Sequence, residues 1–218
     1  MSPLYDTNSA EPAYLLRYSW TGWPSEGKLP AIEIAPLLST LGPSWETDGL
    51  RLLEHSWSPD SVQLTFSTKP HVTPILVAAR AKGRLQYALR QARKAIAFSR
   101  KVSVRSIGDN TREMVEQYIR NQLLSAALAD SHFIERLRSL HLSDPTVDLS
   151  AACESAHGRY WYNLHLVLVA AERYRSSDFA AYARMRAGCV RIAGEKGYAI
   201  SELSIMPDHL HAALRGNI

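Results

Sequence analysis

The stretch GLRLLEHSWSPDSVQ, residues 49–63, and the stretch GYAISELSIMPDHLH, residues 197–211, read as two versions of one hairpin. At an offset of 148 residues, Gly49, Glu54, Ser56, Pro59 and Asp60 fall on Gly197, Glu202, Ser204, Pro207 and Asp208. Agreement at one fixed offset marks an internal repeat of a structural unit. The same offset lays Tyr14 and Leu16 over Tyr162 and Leu164.

Working outward, each copy predicts the same elements. Its hairpin strands are Leu50 to Trp57 and Val62 to Ser67 in the first copy, and Tyr198 to Ile205 and Leu210 to Leu214 in the second. A Pro-Asp turn separates each pair. Upstream lies an apolar opening strand, YLLRYSW or YNLHLVLVA, followed by a helical stretch, Ala31 to Leu41 or Asp178 to Ala193. The first copy alone continues through a basic helix (about Thr73 to Ala97), a strand (Val102 to Ile107) and a helix (about Thr111 to Leu128).

This βαββαβ order predicts an α+β fold of two ferredoxin-like antiparallel-sheet units, with strands 14–20 and 162–170 equivalent. Residues 1–128 form the first unit, 129–158 a linker with SDPTVDLS as its most loop-like part, and 159–218 the second unit. The second unit is C-terminally incomplete: by the logic of the repeat it lacks a helix, a strand and a final helix, as a truncated product or a fragment would.

The totals suit a soluble globular protein, with 46% hydrophobic and 21% charged residues. No apolar run approaches the roughly 20 residues that span a bilayer, and the N-terminus MSPLYDTNSAEPAY lacks a secretory apolar region, so a cytoplasmic location is expected. Cys153 and Cys189 lack metal-type spacing and read as reduced, buried thiols.

The charge is unevenly placed. Ser61 to Gly108 contains no Asp or Glu, yet holds Lys69, Arg80, Lys82, Arg84, Arg90, Arg93, Lys94, Arg100, Lys101 and Arg105. A block of one sign repels itself unless an anion neutralises it, and phosphate backbones are the commonest such anion. A solvated helix face is the plainer alternative.

Two groups could carry chemistry. In a strand alternate residues share a face, so His209 and His211 point the same way and could bind one metal ion. Strand histidines without a ligand are as common. The first copy has Ser61 and Gln63 at these positions, so its equivalent metal site is expected to be dead. In the helix near 111–128, Asn110 is the expected N-cap with Glu113 three residues on, and Met114, Val115, Ile119 and Leu123 form an apolar stripe. Tyr118 and Gln122 are spaced i, i+4 and share one face. A tyrosine beside such a stripe is more often core, and Gln122 would then be a surface residue.

IMPDHLH, with YNLHLVLVAAERYR upstream, resembles the His-hydrophobe-His signature of the single-tyrosine HUH transposases, among them the REP-associated tyrosine transposases. Their opening strand often reads like YHLVFVTKYRR and their histidine strand like VMPDHVHLL. FSRKVSVRSIGDNTREMVEQYIRNQ resembles the family's approach to its tyrosine helix, where a YIxNQ pattern carries the nucleophile, and KGRLQYALR resembles the helix before it. The resemblance covers most of 14–128 and 160–214.

It implies cleavage and strand transfer of single-stranded or hairpin DNA through a 5′-phosphotyrosine. Tyr118 matches the nucleophile, and His209, His211 and Gln122 match the ligands of a divalent ion. A phenol with a pKa near 10 needs positive charge nearby to attack. Two imidazoles and an amide oxygen form a neutral set compatible with Mg²⁺ or Mn²⁺.

The chain departs from the family in one respect: the histidine pair and the tyrosine helix lie in different copies. Family dimers can form composite sites, so the resemblance implies a fused pseudo-dimer with one working site, and leaves further self-association open. Two other readings stand beside it: an inactive, domesticated DNA-binding protein, and a ferredoxin-like interaction module with no nucleic-acid role.

Overall fold

Both hairpins of the repeat form, and they form alike. The computed structural model describes residues 13–94, 96–125, 130–156 and 158–217. Its elements run β1 (Leu16–Pro24), α1 (Ala35–Thr47), β2 (Leu50–Trp57), β3 (Val62–Thr68), α2 (Pro74–Gln91), β4 (Phe98–Ile107), α3 (Arg112–Ser125) and α4 (Ser131–Arg138). They continue with β5 (Leu142–Ser143), β6 (Cys153–Ser155), β7 (Gly158–Trp161), β8 (Asn163–Val169), α5 (Phe179–Glu195), β9 (Ala199–Ile205) and β10 (His209–Arg215). The fold is α+β with two sheets, ordered β2-β3-β1-β4-β7-β6 and β5-β9-β10-β8.

The β2–β3 pairing includes Glu54↔Thr65 and Leu52↔Phe66, with an irregularity at Leu53. The β9–β10 pairing includes Ala213↔Glu202 and Leu214↔Ile200, skipping Ser201. At the offset of 148 these are the same pairs and the same bulge. Gly49 and Gly197, which lead into β2 and β9, both take positive φ, 80° and 69°. A Cβ at Gly197 would also lie 2.6 Å from the Asn217 side chain, so that turn needs glycine twice over. The opening strands match with a two-residue slip. Gln63 pairs with Thr21 and His211 with Val167, so β1 and β8 correspond at 146 and not at 148.

The chain folds as two compact units: one holds the chain up to Ile107 with Glu154–Tyr160, the other Gly108–Cys153 with Trp161–Asn217. The first unit has the ferredoxin-like order β2-β3-β1-β4, every neighbouring pair among these four antiparallel. Its core holds Tyr18, Trp20, Trp45, Leu64, Phe66, Leu85 and Leu89, each fully buried. Trp45 meets the Phe66 ring edge-on at 5.2 Å, and this packing carries α1 past Pro43 to Thr47, beyond the expected end at Leu41. Helix α2 stops at Gln91 and not near Ala97. Arg93 takes φ 56°, and the Lys94 and Arg93 amides return to the Leu89 and Arg90 carbonyls. That is a Schellman cap without its usual glycine.

In the second unit, α5 covers one face of the sheet and α3 packs against β9 and β10. Helix α3 therefore belongs with the second sheet, and the boundary falls at Ile107 where the sequence suggested the end of a 1–128 unit. The reason is burial: Ile119 packs with Leu149 and Ala213, and Leu123 joins the buried cluster that holds Leu137, Leu140 and Leu203. The boundary expected after Leu128 lies outside the described residues.

The expected linker is largely structured. Asp130 caps α4 through the Phe133 amide, Leu137 and Leu140 are buried, and β5 pairs with β9. Thr111, not Asn110, supplies the cap of α3, accepting from the Met114 amide at 3.2 Å. Glu113 pairs with Arg112 and so does not close a capping box. On the far side of the sheet β8 is an edge strand with Leu166 to Val169 exposed, whereas β1 is paired on both sides. Cys153 and Cys189 are free and half-buried, and burial raises the Cys189 thiol pKa. No helix among the described residues is long and apolar enough to cross a membrane.

Candidate active site

The His209–His211 spacing acts through β10, whose alternation turns both imidazoles to the face on which Ile119 of α3 packs. Leu210, Ala212 and Leu214 turn the other way, into the core with Tyr182 of α5. The turn before β10 is held by Met206 N–H on the His209 carbonyl at 2.8 Å and by the Tyr182 hydroxyl on the Pro207 carbonyl at 3.0 Å.

Three rings and a phenol gather there. His209 and His211 have ring centroids 4.9 Å apart. Tyr118 meets His211 edge-on at 5.3 Å, and it is half-exposed (51%), so the core reading of this tyrosine does not hold. Gln122 lies one turn further along α3, half-buried. Tyr118, His209 and His211 are thus placed in one unit and on one side of its sheet, with Gln122 on the same helix as Tyr118.

The third ring is His165 of β8, which the sequence reading overlooked. Its Nε2 lies 3.0 Å from His211 Nδ1, with ring centroids 5.2 Å apart and ring planes 28° apart. Tyr118 lies 6.1 Å from it. The signal was the strand's own alternation: His165, Val167 and Val169 share a face that antiparallel pairing brings onto that of β10.

The surroundings of His211 and His165 disfavour the charged form of both rings. Burial, then the neighbouring His165 and His209, push the His211 pKa from 6.5 down to about 4. Burial also lowers His165. His209 Nδ1 faces Asp208 Oδ1 at 2.6 Å, and that hydrogen bond holds the Asp208 carboxyl below its ordinary range. Arg173 lies on the second Asp208 oxygen at 3.4 Å.

A second network ties α3 to the sheet. Glu202 of β9 is 1% exposed and accepts from Arg120 of α3 at 2.6 Å and from Ser143 at 2.7 Å. Its other oxygen faces His141 Nε2 at 2.9 Å. Arg120 is two residues from Tyr118, so this buried carboxylate fixes the helix that carries the phenol.

A divalent ion fits the donors by chemistry. His209 and His211 each commit Nδ1 to a hydrogen bond, which leaves each Nε2 for a ligand. Among the described residues no group of three or more His, Cys, Asp or Glu could hold a metal ion, so an ion here would need a donor of another type, which Gln122 has.

In the first unit the corresponding residues serve the fold. Ser61 is bonded to Ser58, and Gln63 Nε2 donates to Ser19 Oγ at 2.7 Å. The expected DNA-binding cations fall into two sets. Arg84 and Arg80 pair with Asp48 at 2.5 and 3.5 Å, and Lys82 donates to the Ser99 carbonyl at 2.8 Å. Arg90, Arg93, Lys94, Arg100, Lys101 and Arg105 are exposed. Asp48 lies outside the acid-free stretch, which is why the sequence block did not reveal the pairing.

Residues 37–122 match the sequence model of the family described as "Transposase IS200 like". The matched segment runs from α1 through Tyr118 and Gln122 and ends before β8–β10. No curated protein matches the chain.

Proposed function

We propose that this chain, whose residues 37–122 match the IS200-like transposase family, is a transposase of that kind that cuts and rejoins single-stranded or hairpin DNA through a 5′-phosphotyrosine on Tyr118. The matched family is one of DNA transposases. The supporting observation is the convergence of Tyr118 with His211 across elements more than 90 residues apart in the chain.

The steps follow from the residues. The Tyr118 hydroxyl gives up its proton to solvent or a base, and its oxygen attacks the scissile phosphorus. A P–O bond to tyrosine forms as the P–O3′ bond breaks, and the departing 3′ oxygen takes up a proton. An incoming 3′-hydroxyl reverses these events, so the bond energy is kept and no nucleotide cofactor is consumed. His209, His211 and Gln122 would hold Mg²⁺ or Mn²⁺, which supplies positive charge to the phosphate oxygens. The neutral His211 ring keeps a lone pair available at pH 7, and Glu202 holds Arg120 and with it the tyrosine helix. The exposed cations at Arg90, Arg93, Lys94, Arg100, Lys101 and Arg105 would bind phosphates, an interaction that weakens steeply with salt.

The test is a labelled hairpin oligonucleotide incubated with the chain and Mn²⁺, then resolved under denaturing conditions. A covalent adduct should form, and both Tyr118→Phe and His209→Ala should abolish it. An adduct that survives Tyr118→Phe overturns the reading. Salt-sensitive DNA binding with no adduct in the wild type would favour the alternative of an inactive, domesticated DNA-binding protein, a course the loss of both histidines in the first unit already illustrates.

A further inference from the structure

We infer that His165 is a positioning residue that holds His211 in the tautomer and orientation needed to bind a divalent cation. The inference rests on the metal reading of the preceding subsection and adds a residue to it.

An imidazole has one lone pair when neutral, and the nitrogen that carries it is the one without the proton. For His211 to present Nε2 to an ion, Nδ1 must keep its hydrogen, and a buried N–H needs an acceptor. His211 is 5% exposed, and His165 Nε2 stands 3.0 Å from that Nδ1. His165 therefore accepts at Nε2 and carries its own proton on Nδ1. With Nε2 on Nδ1 at 3.0 Å and ring centroids 5.2 Å apart, the contact links the two ring edges, and His165 Nε2 is taken up by His211. His165 is not placed as a third ligand. His209 is treated in the same way by a different acceptor, Asp208, so both histidines have their Nδ1 tethered.

The first unit supplies an internal control. Strand registers place Gln63 where His211 stands and Ser19 where His165 stands. Those two residues are also hydrogen-bonded, Gln63 Nε2 to Ser19 Oγ at 2.7 Å. The fold thus preserves a side-chain link from the opening strand to the third strand of the repeat, in both units and with different chemistry. Where the metal-binding type of residue is kept, the link is an imidazole; where it is lost, a hydroxyl serves.

Titrating Mn²⁺ into the full chain, followed by electron paramagnetic resonance, tests this. Wild type should bind, and His211→Ala should lose the ion. His165→Ala should weaken binding by roughly 10- to 100-fold, and His165→Gln, which restores an acceptor oxygen, should recover most of it. Circular dichroism melts of the metal-free variants identify any loss of fold, and ¹⁵N NMR of the metal-free wild type should show His211 protonated at Nδ1. Unchanged affinity in a folded His165→Ala, equal damage in the Ala and Gln variants, or a proton on Nε2 would overturn the inference while leaving the metal site standing. A wild type that binds no Mn²⁺, or a His211→Ala that still binds it, would bring down the metal reading itself.

Discussion

The hairpin at 49–68 and the hairpin at 197–215 share a backbone down to the bulge, and differ in what lies on one face. In the second, α3 covers the sheet, Glu202 is buried under Arg120, and His209 and His211 stand at the strand positions that face Tyr118. In the first, Glu54 is exposed, and Ser61 and Gln63 bond to neighbouring hydroxyls. The same scaffold has therefore been put to two uses. The bulge and the glycine turn are demanded by the fold, so they persist in both. The histidines and the buried carboxylate are kept only where a helix bearing Tyr118 meets them.

The largest effect should appear in metal binding. If His209 is the ligand proposed, His209→Ala should weaken Mn²⁺ at least about 100-fold, while Ser61→Ala and Gln63→Ala change nothing. Isothermal titration with all three variants checks this. Equal losses in the two hairpins would erase the distinction between them.

Next is the pair of matched carboxylates. Glu202→Gln should destabilise the protein by about 2–4 kcal/mol, because Arg120, Ser143 and His141 all lose a charged acceptor in a buried place. Glu54→Gln should stay within about 0.5 kcal/mol, as surface changes do. Urea unfolding of both variants measures the contrast, and a costly Glu54→Gln would show that the first hairpin also anchors something.

Acid should act on the second unit through His211. Above pH 6.5 its ring is neutral in both the folded and the unfolded chain, so stability there is complete. As pH falls, the unfolded chain takes up the proton first, and stability drains away until the folded ring titrates near 4. The loss is on the order of 3 kcal/mol over that window. His211→Gln, which copies the residue of the first unit, should flatten this part of the pH profile. A profile unchanged by that substitution would mean the ring titrates near its ordinary value.

How much of this was legible in the sequence follows from what each signal depends on. The repeat was readable because Gly49 and Gly197, and the Pro-Asp turns, answer to local backbone demands. The two-residue slip of the opening strands was not, since apolar residues at either register satisfy the same faces. The apolar stripe of α3 was visible, but a stripe does not say which sheet it covers; Leu203 and Ala213 decide that. His165 escaped because a lone histidine in an apolar strand gains meaning only from the strand beside it. The end of α2 escaped because an arginine occupies the left-handed position that glycine usually marks.

The smallest effect separates the cations of the first unit, where the two units diverge most in charge. Arg84 places Nε and one terminal nitrogen on Asp48 Oδ2, at 2.8 and 2.5 Å, and Asp48 is largely buried. Arg84→Ala leaves that carboxylate with the longer Arg80 contact at 3.5 Å, and should cost about 1 kcal/mol. Arg90 is exposed at the end of α2, so Arg90→Ala should stay within about 0.5 kcal/mol. For DNA the order should reverse: Arg90→Ala should lower affinity and reduce the salt slope by about one phosphate's share, while Arg84→Ala leaves both near wild type. Thermal melts and filter binding at two salt concentrations, run on the same two proteins, give both orders at once. If Arg84→Ala weakened DNA binding and spared stability, the Asp48 pair would not be what holds that side chain, and the basic block would act as a single surface.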